Sequence, residues 1–250
     1  MCTMNKNIEN FVVYYGYGNY EVLSKYDLII VEPKAQSVES VATLKSNGAL
    51  LIAYMSFIEI IPDQKERLNL DDSILLWENH APMQDSNFGN YLANLSSQIW
   101  QNYLLKEVSD LIEIRGYDGI FIDTITNIEE QKILNHYGYV FHEVYLSLLQ
   151  KIKEKYPKGL LIQNNGLNSI LDYSGALLDG ICWENPPIGN VQSLLWVKLI
   201  EKKIKVRNKQ SNGQRIMVLL LEEEPLSNSR IRRYAKKNGW LYYKAHKNYL

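Results

Sequence analysis

A single (β/α)8, or TIM, barrel is the fold this sequence predicts, on three observations. The chain has 250 residues, a common size for one such barrel. Eight short apolar runs alternate with amphipathic stretches from end to end, and no linker interrupts them, so residues 1–250 read as one domain. The runs are continuously apolar rather than alternating, as parallel strands covered on both faces must be. A doubly wound open sheet is the alternative arrangement.

The elements follow in order. Phe11–Gly16 reads as the first strand, closed by the turn at Gly16 and Gly18, and Asp27–Glu32 as the second, stopped by Pro33. Val38–Asn47 predicts a helix ending at Gly48, and Ala49–Ser56 the third strand. Glu59 to Asn90 is irregular and rich in Asp, Asn and Pro; loops of that length are usually functional or mobile. Ser96–Arg115 predicts a long helix with Leu104, Val108, Leu111 and Ile112 on one face. Gly119–Asp123 is the fourth strand, and Ile133–Tyr156 a helix ended by Pro157 and Gly159. Leu160–Asn164 and Gly180–Trp183 are strands five and six, followed by a helix over Val191–Val206. Ile216–Leu221 is the seventh strand, Ser229–Asn238 a helix, and Trp240–Tyr243 the eighth strand.

Bulk properties narrow the function. A net charge of −1 gives no general attraction to nucleic acid or acidic membranes. No run approaches the roughly 20 apolar residues that span a bilayer. Cys2 and Cys182 fit neither a metal motif nor a disulfide framework, and Cys182, inside a strand, reads as a small buried hydrophobe. Met1–Asn10 has no apolar core of signal-peptide length, so the chain as given is expected in the cytoplasm, or secreted if a signal once preceded Met1. A monomer is expected. G-x-S-x-G, H-E-x-x-H and P-loop motifs are absent from the sequence, and Gly16-Tyr17-Gly18 lacks the third glycine of a dinucleotide fingerprint. The basic runs Arg230, Arg232, Arg233, Lys236, Lys237 and the Lys-rich stretch 191–206 read as solvated helix faces rather than a phosphate-binding strip.

One internal echo carries the chemistry. Asp118-Gly-Ile-Phe-Ile-Asp123 returns as Asp179-Gly-Ile-Cys-Trp-Glu184, each an Asp-Gly turn, a short strand and a carboxylate at the strand exit. Two βα units separate the copies, which makes them alternate strands, and alternate barrel strands place side chains in the same interior layer. Asp123 and Glu184 should therefore face a common point. Residues at the other strand exits complete the candidates: Tyr14 or Tyr15, Glu32, Tyr54, Ser56, Asn164, Asn165, Glu222, and Tyr242 or Tyr243. Of the run Glu222–Glu224, at most one side chain can point inward. A carboxylate after a strand also commonly caps the next helix, which is the competing account of Glu32 and Glu222.

Leu51-Ile-Ala-Tyr-Met-Ser56, Arg115-Gly-Tyr-Asp-Gly-Ile-Phe-Ile-Asp123, Gln163-Asn-Asn165 and Asp179-Gly-Ile-Cys-Trp-Glu184, in that order, resemble glycoside hydrolase family 114, the endo-α-1,4-polygalactosaminidase and spherulin-4-like barrels. The resemblance covers most of the chain. It implies a retaining endo-glycosidase acting without a metal on galactosamine-containing exopolysaccharide, with Asp123 as nucleophile and Glu184 as acid/base. It also implies that Tyr54 and Asn165 face the substrate. Where the family usually carries a Trp-x-Asp-x-Arg-like segment, this chain has Trp77-Glu-Asn79.

On this reading Asp123 attacks the anomeric carbon while protonated Glu184 serves the leaving oxygen. Burial beside Trp183, or the charge on Asp123, would raise the Glu184 pKa. Tyr14, Tyr54, Ser56, Asn165 and Trp183 would contact sugar, and Glu32 and Glu222 at the rim would favour a cationic one. Two other readings stay open: a non-catalytic carbohydrate-binding barrel, and a metal-assisted lyase or hydrolase with Glu32, Asp123, Glu184 and Glu222 as oxygen ligands.

Overall fold

The computed structural model describes residues 7–67, 69–210, 215–223 and 229–250; Cys2 and Glu224 lie outside them. Eight parallel strands run in sequence order around the sheet: β1 (Phe11–Tyr14), β2 (Leu28–Val31), β3 (Leu50–Ser56), β4 (Gly119–Asp123), β5 (Leu160–Asn164), β6 (Gly180–Glu184), β7 (Met217–Glu223) and β8 (Leu241–Ala245). β1 lies beside β8, where Phe11 packs on Tyr243 with ring centroids 5.8 Å apart. The result is a nearly closed α/β barrel. The main outer helices are α1 (Val38–Ser46), α2 (Gln98–Ser109), α3 (Val140–Lys155), α4 (Leu194–Gln210) and α5 (Ser229–Asn238).

The pleat divides each strand between two cores. Phe11, Val13, Ile30, Ile52, Phe121, Ile162, Cys182, Leu219 and Leu221 fill the barrel interior. Their neighbours in sequence, such as Val12, Ile29, Leu51, Ile120, Leu161 and Leu220, pack outward with the helices. This is why the strands read as unbroken apolar runs. It also fixes parity: the side chains that reach the mouth of the barrel are those in step with Ile30, Ile52, Phe121, Ile162, Cys182 and Leu221.

The echoed Asp-Gly pairs do one structural job twice. Asp118 Oδ2 accepts from the Leu51 amide (2.9 Å) and its Oδ1 pairs with Lys45 (2.8 Å). Asp179 Oδ2 accepts from the Leu161 amide (2.8 Å) and from Lys153 (2.6 Å). Each aspartate thus pins its strand entrance to the preceding strand of the sheet. A Cβ on Gly119 would sit 2.1 Å from the Leu160 carbonyl oxygen, so only glycine allows that close approach.

Three elements differ from the sequence expectation. The helix expected over Ser96–Arg115 is α-helical only as α2 and widens to a π turn over Asp110–Ile114. Just beyond it, Arg115 Nη2 donates to the carbonyls of Pro33 and Gln36, each at 2.7 Å. The helix expected over Ile133–Tyr156 breaks at Gly138, where φ is 55°, into Gln131–Tyr137 and α3. Buried Ile133 and Phe141 keep the apolar period running across the break, which conceals it. The irregular stretch after β3 is built, not loose. Glu59–Ile60 pairs with Tyr91–Leu92 and Trp77–Glu78 with Ala81–Pro82, over buried Ile58, Ile60, Ile74, Leu76 and Leu92.

Candidate active site

The exits of β4, β5 and β6 meet at one side chain. Asn164 Nδ2 donates to Asp123 Oδ1 at 2.9 Å and to Glu184 Oε2 at 2.8 Å. Two such bonds leaving one NH2 group set the accepting oxygens about 5 Å apart. The amide orientation follows from the network, because a flipped Asn164 would aim its oxygen at two carboxylates. Its Oδ1 is buried with no partner among the described residues, a cost of about 1–3 kcal/mol set against holding the carboxylates in place.

Three tyrosines close the other side. Tyr54 hydrogen-bonds Asp123, and the Tyr249 hydroxyl donates to Glu184 Oε1. Tyr15 stands between them, its ring centroid 5.1 Å from Tyr54 and 4.9 Å from Tyr249. Each carboxylate therefore shares Asn164 and holds a tyrosine of its own. Tyr249 comes from the chain's last turn, tied to β1 by the Tyr15 amide donating to its carbonyl (2.7 Å). Burial, followed by the charge of Asp123, pushes the Tyr15 and Tyr54 hydroxyls well above the usual phenol range. Both remain neutral donors throughout the working pH range.

The strand exits share a backbone device. Thr124, Asn165 and Asn185, each next after Asp123, Asn164 and Glu184, have φ of 65°, 51° and 45°. A β-branched residue rarely adopts that region, and Thr124 is held there by its hydroxyl. Thr124 Oγ1 accepts from the amides of Phe57 and Ile58 and donates to the Asp123 carbonyl (2.7 Å). The two asparagines repeat one motif. Asn165 Oδ1 accepts from the Glu184 amide (3.1 Å) and Asn185 Oδ1 from the Glu223 amide (2.9 Å). Backbone strain of this kind concentrates at functional sites.

Among the sequence candidates, Asp123, Glu184 and Tyr54 come together. Glu32 caps the turn at Pro33 by accepting from the Lys34 amide (3.0 Å). It shares with Tyr54, Ser56, Glu59 and Glu107 a cavity of 190 Å³. Ser56 is occupied by Thr124 Oγ1 (3.0 Å) and the Glu59 carbonyl (2.8 Å). Asn165 lends its oxygen to the Glu184 backbone, and its neighbour Asn164 holds the carboxylates.

Strand parity corrects three expectations. Tyr14 faces outward and donates to the Tyr17 carbonyl (2.9 Å); Tyr15 is the inward one. Trp183 is buried in the outer core against Trp196 and Trp240, so it cannot meet a ligand at the barrel mouth. Glu222, 1% exposed, lies on the outer side of β7 with Tyr242 (2.6 Å). Glu223 has the inward parity and adds its charge beside Glu184. The four carboxylates of the metal-assisted reading therefore do not converge, and no group of three or more His, Cys, Asp or Glu side chains among the described residues is placed to hold a metal.

Glu59 is a site residue that sequence reasoning missed. It accepts from Asn90 and Asn127, each at 2.9 Å, and burial raises its pKa. It comes from the segment without periodicity, and only the fold brings it beside Tyr54. Tyr249 was equally hidden, lying beyond the last strand.

Glu184 has the electrostatics of an acid. Burial first, with Asp123 and Glu223 nearby, raises its pKa above the ordinary carboxyl value, while the bonds from Tyr249 and Asn164 pull it down. A carboxyl kept protonated to higher pH, across from a second carboxylate, can donate a proton while the other attacks or activates water.

A family model described as glycosyl hydrolase family 66 matches residues 41–219. No curated protein matches. Among solved structures, the glycoside hydrolase domain of PelA from Pseudomonas aeruginosa superposes with a TM-score of 0.76 at 15% identity, over 97% of this chain and 96% of that one. Ega3 of Aspergillus fumigatus, in complex with galactosamine, gives 0.67 at 14% identity, over 97% and 91%. A cycloisomaltooligosaccharide glucanotransferase of Paenibacillus sp. gives 0.62 at 12%, over 88% of this chain and 39% of its own.

Proposed function

This chain belongs to glycosyl hydrolase family 66 and is a glycoside hydrolase; from that premise we propose that it is a retaining endo-glycosidase cleaving α-1,4-linked galactosamine-containing polysaccharide. The observation that carries the mechanism is Asn164 bonded to both carboxylates. The resulting gap of about 5 Å suits nucleophilic attack, whereas inverting pairs stand about 6.5–9.5 Å apart to admit water. Asp123 is the nucleophile. Glu184, the carboxyl with the raised pKa, protonates the leaving oxygen and then serves as base for the incoming water.

The substrate reading rests on surplus acid. Glu59 and Glu32 act electrostatically on Tyr54, as Glu223 does on Glu184 and Tyr249. A neutral glucan gains no charge pairing from three further carboxylates at the mouth, whereas the ammonium of a deacetylated amino sugar does. The likeness to Ega3, which binds galactosamine, points the same way. The test is hydrolysis of partly deacetylated α-1,4-galactosamine polymer and of a neutral α-glucan, with the new anomer followed by NMR. Release from the amino-sugar polymer with retained α configuration is expected. The inverted β anomer would refute the nucleophile, and preference for the glucan would refute the substrate.

Tyr249 tunes the acid. Its hydroxyl stabilises the charged form of Glu184, so Tyr249→Phe should raise the Glu184 pKa further. A general acid must be protonated, so activity is lost as pH rises through that pKa, and the alkaline limb of kcat/KM should move to higher pH. Loss of a bond to a charged group should also cost about 10-fold or more in rate at the optimum. A slower enzyme with an unmoved limb would leave Tyr249 as packing only.

A further inference from the structure

The net charge of −1 conceals a segregated surface. α5 carries Arg230, Arg232, Arg233, Lys236 and Lys237 and no acid, and all five are exposed. α4 exposes Lys198, Lys202 and Lys205, with Glu201 its only acid. Tyr234 of α5 donates to Glu201 (2.5 Å), so the helices lie side by side and that one acid is occupied between them. Cations thus gather on one flank of the barrel.

That flank is also apolar where a solvated face would be polar. Leu195 is 81% exposed, and Val191, in the segment just before the helix begins, 86%. Leu199 follows one turn later, half exposed, so an i, i+4 pair of leucines lies on one face of α4. Lys198 and Lys202 border it. Leucines flanked by lysines suit the bilayer interface, where side chains enter the acyl boundary and cations meet headgroup phosphates. Nucleic acid would use the cations and leave the leucines wet. A second copy of the same face would set like charge on like charge.

We propose that the α4–α5 flank is a peripheral docking surface for an anionic lipid bilayer. It binds without spanning, since no described helix is long and apolar enough to cross a membrane. The flank is formed by the two helices that follow β6 and β7, and Arg230 donates to the Gly189 carbonyl (3.1 Å) in the connection after β6.

The experiment is sedimentation of the full chain with vesicles of phosphatidylcholine alone, or of equal parts phosphatidylcholine and phosphatidylglycerol. Two variants accompany it, Leu195→Ser with Leu199→Ser, and Arg232→Gln with Arg233→Gln and Lys236→Gln; circular dichroism and glycan hydrolysis check that both fold. We expect binding to the anionic vesicles only, release by high salt, and a fall in partitioning of about 10-fold or more in each variant. No binding by the wild-type chain would overturn the proposal. So would binding indifferent to the two leucines, and tighter binding to duplex DNA than to vesicles would assign the flank to nucleic acid instead.

Discussion

Asp123→Asn is expected to reduce glycan hydrolysis by about 10⁴-fold or more, the scale of removing a covalent nucleophile, while leaving the protein folded. Asparagine preserves the shape and can still accept from Asn164 through its oxygen, so the Asn164 bridge to Glu184 survives and the loss reports chemistry. KM should change little, because the attack is made only in the transition state. The strained exit at Thr124 is held by the Asp123 carbonyl and by two amides, none of which the substitution touches, so Tm should be near wild type. Residual activity above about a tenth of wild type would remove Asp123 from the reaction and leave Glu184 acting with another group. Glu59, another carboxyl raised by burial and acting electrostatically on Tyr54, would then be the next residue to substitute.

The barrel was legible because its strands are buried on both faces, and that leaves a mark no neighbouring loop can imitate. The carboxylate pair was legible for a related reason. The echoed strands carry both a structural aspartate at the entrance and a carboxylate at the exit that meets its counterpart at Asn164, and two βα units return a strand to the same layer. Parity at strand ends was less legible. In continuous apolar runs both faces look alike, so Tyr14 and Tyr15, Asn164 and Asn165, and Glu222 and Glu223 cannot be told apart until the pleat is seen. Counting from an interior residue would have chosen correctly: Val13 and Tyr15, Ile162 and Asn164, and Leu221 and Glu223 share one face. Trp183 fails by the same count from Cys182. Glu59 and Tyr249 reach the site from segments with no repeating pattern, and the hydrogen bonds that bring them in are tertiary.

Glu184→Gln separates the two carboxylates by their chemistry. With no proton to give, turnover of a polymer whose leaving group is a sugar hydroxyl should fall by about 10²–10⁴-fold. An aryl glycoside with an acidic leaving group needs no such help, so its first step should persist and glycosyl-enzyme should accumulate as a burst. The alkaline limb of the pH profile should flatten, since the group that must stay protonated is gone. Stability should move the other way. The folded pKa of Glu184 lies above its unfolded value, so its contribution is fully present below the unfolded pKa and is lost as pH rises through the folded one. Above that window the wild type buries a carboxylate charge beside Asp123, and glutamine does not. Tm of Glu184→Gln at neutral pH should therefore exceed that of wild type, with the difference vanishing in acid. A variant inactive on the aryl glycoside as well would deny Glu184 the role of acid. Equal Tm values at both pH extremes would mean that its carboxylate is not held against its own desolvation, which would remove the basis for the assignment of roles within the pair.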